Sequence, residues 1–139
     1  MELAHRHLRA GWIALAVYLT LGIALEALHA FKVGFYLDVG NETRRLLFRL
    51  AHAHGTLLAI VNILYGLTVR AVPESGRPLA SGALLAALVL LPMGFFAGGI
   101  VIHGGDPGLP ILLVPAGALA LLVGTMVTAH AVRPPGSGS

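Results

Sequence analysis

Hydrophobic residues run through this chain in four blocks: Gly11 to about Phe35, Leu46 to Val69, Leu79 to Ile102 and Leu109 to Val132. Each block meets the roughly 20-residue requirement for a helix that crosses a bilayer. The separators are short and carry turn chemistry. Asp38-Val39-Gly40-Asn41-Glu42-Thr43 divides the first pair, with Asn41 or Thr43 as the expected N-cap of the second helix. Pro73-Glu74-Ser75-Gly76-Arg77-Pro78 divides the second pair. Gly104-Gly105-Asp106-Pro107-Gly108 divides the third, with Pro107-Gly108 expected at the middle of a tight turn. Short connections make sequence neighbours antiparallel. The pattern therefore predicts an all-α membrane protein, an up-down four-helix transmembrane bundle forming one domain over residues 1–135. Gly136-Ser137-Gly138-Ser139 reads as an appended linker outside the fold.

Within the blocks, small residues fall on stripes. Ala51, Gly55, Asn62 and Gly66 share one face of the second helix at 100° per residue. The third helix carries Gly94 and Gly98 beside Gly99, and the fourth carries Gly117, Gly124 and Thr128. Small residues at these spacings let membrane helices approach closely, and Asn62 is placed to hydrogen-bond across the seam. Pro92 is expected to kink the third helix.

Composition narrows the class. The chain is 57% hydrophobic and 11% charged, against about 25% charged in a soluble domain. Its net charge of +3 does not point to nucleic acid, because the nine Lys and Arg flank apolar blocks rather than share one solvated face. The absence of cysteine excludes disulfides and thiolate sites. Arg6, Arg9, the apolar run from Trp12 and the alanines near Ala27 imitate a signal peptide. Glu26 and His29 spoil its cleavage region, so a retained helix is expected.

Chain direction then sorts the polar residues. The termini and the second loop share one side, with Arg6, Arg9, Arg70, Arg77 and Arg133; the other side holds Lys32, Arg44, Arg45 and Arg49. Five basic residues against four favour cytoplasmic termini under the positive-inside rule. The expected location is the plasma (inner) membrane of a prokaryote, as a homo-oligomer in the lipid bilayer. His5, His7 and His130 fall at the side of the termini. Glu26, His29, His52, His54, His103 and the three arginines 44, 45 and 49 gather at the opposite one. Ionisable groups inside membrane segments are costly and mark functional sites by default.

Glu26 and His29, three residues apart, point into one bundle core, as in carboxylate-bridged metal bundles. His52 and His54 are about 200° apart on a helix and flank the Ala51/Gly55/Asn62 stripe, so either one faces the first helix and the other the third, or one of them faces lipid headgroups. His52 continues the face of Arg45 and Arg49, which makes His54 the expected buried ligand. Three functions follow. A transition metal (Zn, Cu or Fe) or haem b would take His29, His54 and His103, with Glu26 and His52 as further ligands or orienting groups. Gly98 and Gly99 would leave room for a flat ring. A proton-coupled transporter or channel would use Glu26 as carrier. A membrane enzyme would hold a lipid or other anionic amphiphile with Arg44, Arg45 and Arg49 and use a histidine as acid or base.

In size and helix count the chain is similar to the small four-helix eicosanoid and glutathione enzymes and to small multidrug resistance transporters. It lacks the arginine-histidine-asparagine-glutamate pattern of the former. Glu26 lies near a helix end, unlike the central acid of the latter. The His52-x-His54 pair at the start of a membrane helix resembles that of haem–copper oxidase relatives. No site residue is carried over from any of these families.

Overall fold

The computed structural model describes residues 2–38, 40 and 42–132. The chain is all-α in its long elements: α1 (Glu2–Ala30), a single-turn α2 (Gly34–Leu37), α3 (Glu42–Ala71), α4 (Pro78–Ile100) and α5 (Leu113–Ala131). A 3₁₀ turn at Pro73–Ser75 links α3 to α4, and another at Leu109–Leu112 leads into α5. Four of these helical stretches, Glu2–Ala30, Glu42–Ala71, Pro78–Ile100 and Leu109–Ala131, are long and apolar enough to cross a membrane.

The boundaries differ from the hydropathy blocks for identifiable reasons. α1 begins at Glu2 rather than near Gly11, because Ala4, His7 and Gly11 are buried on its inner face. It stops at Ala30, short of Phe35. There Lys32 takes a left-handed φ of 52°, while Val33 N–H reaches Leu28 C=O at 3.0 Å and Lys32 N–H reaches His29 C=O at 3.1 Å. These paired bonds satisfy the last carbonyls of the helix. α3 starts at Glu42, so Thr43 lies inside it and is no N-cap; Asn41 lies outside the described residues, as do 133–139. The third connection turns at Gly104-Gly105 rather than at Pro107-Gly108. Strand β1 (Ile102–His103) pairs with β2 (Asp106–Pro107), and the two glycines between them have φ of 58° and 93°. Two successive positive φ values match the twist of a hairpin, and only Gly adopts them cheaply.

Sequence neighbours run antiparallel. Gly66, Gly11 and Gly22 set the α1–α3 seam: they abut Ala4 and Leu8, Ala59 and Ile63, and His52. Along α3–α4, Gly99 meets Leu47 and Phe48, and Asn62 Nδ2 lies 3.4 Å from Leu84 C=O. Along α4–α5, Gly94 meets Val114, Gly117 meets Leu91 and Gly124 meets Leu84. α3 and α4 form the middle, with 39% and 44% of their apolar windows buried, against 11% for each outer helix. The large apolar surface left on α1 and α5 fits a lipid environment.

Pro92 is buried inside α4, which continues through it. A proline there removes the N–H that would bond to Leu88 C=O. The Tyr18 hydroxyl of α1 takes that place, donating to Leu88 C=O at 3.0 Å. Its ring packs on Gly55, where any Cβ would collide with it. One side chain thus ties α1 to both central helices.

Candidate functional site

At the end opposite the termini a cavity of about 570 Å³ opens between α1 and α3. Gly22, Leu25, Glu26 and His29 recur every three to four residues and so form a single stripe of α1 along one wall. Arg45, Arg49 and His52 form the matching stripe of α3 on the other. Tyr36 of α2 lines the end of the cavity; its ring is buried and edge-on to His29, with 6.5 Å between centroids.

The electrostatics of the walls are uneven. Arg45 Nη2 lies 3.2 Å from Glu42 Oε1, a pair whose carboxylate is 72% exposed. Among the described residues neither Arg49 nor Glu26 enters an ion pair, although both line this cavity. His52 is held in a fixed orientation. Its Nδ1–H donates to Tyr18 C=O at 2.8 Å, and the ring lies against Gly22, where a Cβ would collide with it. That bond leaves Nε2 as the remaining hydrogen-bonding atom of the ring.

The other residues expected at the site are elsewhere. His54 faces α4, donating Nδ1–H to Leu50 C=O at 2.9 Å with its ring 4.9 Å from that of Phe95. The two histidines thus take opposite sides of the small-residue stripe, and it is His52, not His54, that joins Glu26 and His29. His103 is exposed on the β1–β2 hairpin, opposite Asp106. Arg44 is a clasp. Its Nε donates to Gly99 C=O at 3.2 Å and its Nη1 to Phe35 C=O at 3.2 Å, and its guanidinium lies 4.2 Å over the Phe35 ring. Both carbonyls sit in last helical turns, which lack backbone donors and attract cations.

Among the described residues no group of three or more His, Cys, Asp or Glu side chains is arranged to hold a metal ion. The proposed metal and haem ligands are therefore divided between the cavity (Glu26, His29, His52), the α3–α4 face (His54) and the hairpin (His103).

A second polar cluster lies toward the termini; the helical pattern singled out Asn62 as a bond across the seam, which it makes, but not His7 or Ser81. His7, Asn62 and Ser81 are fully buried where α1, α3 and α4 meet. Asn62 Nδ2–H is used on Leu58 C=O (2.9 Å) and Leu84 C=O (3.4 Å), so its Oδ1 accepts from His7 Nδ1–H at 2.8 Å. His7 Nε2 then accepts from the Ser81 hydroxyl at 2.8 Å, and Ser81 Oγ accepts from the Arg6 guanidinium. The His7 ring also stands edge-on to Tyr65 at 4.6 Å. Both ring nitrogens of His7 have partners and the ring is fully buried, so His7, Asn62 and Ser81 brace the three helices against one another. The available signal was helical spacing: Ala4, His7 and Gly11 continue one face of α1.

No protein-family model, curated protein or solved structure matches this chain.

Proposed function

We propose that the chain is an integral membrane protein, an up-down bundle of four transmembrane helices, whose α1–α3 cavity holds the phosphate or other anionic headgroup of a membrane amphiphile. The observation that carries this reading is Arg49: a guanidinium without an ion-pair partner among the described residues, one turn from Arg45, on the wall of a cavity of about 570 Å³. Sites for small molecules run from roughly 300 to 1,000 Å³, so a headgroup fits. Guanidinium donors match phosphate and carboxylate oxygens bidentately. The exposed pair of Arg45 with Glu42 is weak enough, about 0–1 kcal/mol, for a ligand anion to displace it.

Depth supports the same conclusion. Arg49 and Arg70 are about 32 Å apart along α3, close to the thickness of the hydrocarbon layer. Arg49 and the cavity therefore lie at headgroup level when α3 spans the bilayer. Ile23 beside the cavity stripe and Leu46 beside Arg45 are exposed apolar side chains, suited to acyl chains. The metal and haem readings lack comparable support, because their ligands are spread over three faces.

The test is binding of phosphate-headed lipids to the detergent-solubilised protein, followed by native mass spectrometry. Arg49→Ala is expected to weaken binding about tenfold, in line with the value of hydrogen bonds to charged groups, and Arg45→Ala to weaken it less. Unchanged binding in the double variant would remove the reading.

A further inference from the structure

The cavity carries both signs of charge on opposite walls: Glu26 on α1 faces the space that Arg45 and Arg49 line from α3. Glu26 and Arg49 are left without ion-pair partners among the described residues, rather than neutralising each other. A purely anionic headgroup would satisfy the α3 wall and set its charge beside the Glu26 carboxylate, a like-charge contact that selects against it. A headgroup bearing an anion and a cation satisfies both walls.

Resting on the anion-site reading above, we infer that the ligand is zwitterionic, a phosphate joined to a primary ammonium, with the phosphate on Arg45 and Arg49 and the ammonium on Glu26. The α1 wall decides between kinds of cation. A quaternary ammonium is held by a cage of aromatic faces, and Tyr36 is the one aromatic ring of a Phe, Tyr or Trp lining this cavity. A primary ammonium needs acceptors instead. Glu26 supplies them, and Tyr36, whose hydroxyl makes no hydrogen bond among the described residues, lines the same cavity. The source is the lipid rather than a free phosphoethanolamine, because exposed Ile23 and Leu46 flank the two walls.

Binding to the full-length protein in detergent is compared for phosphatidylethanolamine, phosphatidylcholine and phosphatidylglycerol with identical acyl chains. Wild type is expected to prefer phosphatidylethanolamine by about tenfold, the scale of one charge-assisted hydrogen-bond set. Glu26→Gln removes that preference while its thermal unfolding is unchanged, since Glu26 is exposed. Arg49→Ala weakens all three lipids. If wild type ranks phosphatidylglycerol first and Glu26→Gln leaves phosphatidylethanolamine unaffected, with Arg49→Ala still weakening every lipid, the zwitterion assignment is overturned and the anion site stands. If Arg49→Ala changes none of them, both fall. Soluble phosphoethanolamine that competes with the affinity of the lipid overturns the lipid source; failure to compete supports it.

Discussion

Two buried polar side chains show what a single residue contributes here. His7 has both ring nitrogens engaged, whereas Thr56 Oγ1 is buried without a hydrogen-bond partner among the described residues. Removing one partner from a satisfied set strands the others, at about 1–3 kcal/mol for each buried group left unpaired. His7→Ala is therefore expected to lower the thermal unfolding temperature in detergent markedly, by orphaning Asn62 Oδ1 and the Ser81 hydroxyl. Thr56→Val keeps the shape and removes the orphan, so it should raise that temperature, by about 1 kcal/mol of stability. Equal unfolding temperatures for the two variants would refute the assignment of His7 as a brace. The arginines divide in the same way. Arg44 spends donors on Gly99 and Phe35 carbonyls, while Arg49 lines the cavity without an ion-pair partner among the described residues. Adjacent residue numbers did not mean a common role.

Among the elements, α4 illustrates how a local defect is absorbed by a neighbour. Pro92 deprives Leu88 C=O of its helical donor, and Tyr18 of α1 supplies one from outside. The pair makes a quantitative prediction. Tyr18→Phe should cost about 1 kcal/mol in a wild-type background, where it leaves a carbonyl unpaired away from water. In a Pro92→Ala background the backbone N–H regained at that position restores the helical bond, and the same change should cost much less. A double-mutant cycle by thermal or denaturant unfolding measures the difference. Zero coupling energy would show that the Tyr18 hydroxyl is not compensating the proline. The ends of the elements carry a related lesson. α1 terminates at Ala30 because Lys32 adopts the left-handed cap, although the apolar block runs on to Phe35. Hydropathy reports what a residue prefers to touch, not which carbonyl it will bond.

For the molecule as a whole, the proposed topology puts the 73–75 turn and the 102–107 hairpin on opposite sides of a membrane. The absence of cysteine makes this directly testable. Single Glu74→Cys and Asp106→Cys variants, both at exposed positions, are expected to react with an impermeant thiol reagent from opposite faces of sealed vesicles. Labelling of both from one face would eliminate the up-down arrangement. The five-to-four distribution of basic residues predicts that Glu74→Cys is the one labelled from the cytoplasmic face.

What the sequence determined by itself is the set of four apolar helices, their approximate limits and the angular order of side chains on each. These depend on local composition and on the fixed 100° step of a helix. That step already separated His52 from His54 and aligned Arg45, Arg49 and His52. Which of those faces meet was decided only by the tertiary structure. Glycines at 11, 22, 55 and 66 set the depth at which α1 and α3 approach, and that depth brings Glu26 and His29 level with Arg49 and His52. The same packing turns His54 toward Phe95, carries His103 away on a hairpin and commits Arg44 to backbone carbonyls. Helical period fixes direction along one element. Register between elements is a property of their contacts, and the cavity exists only in that register.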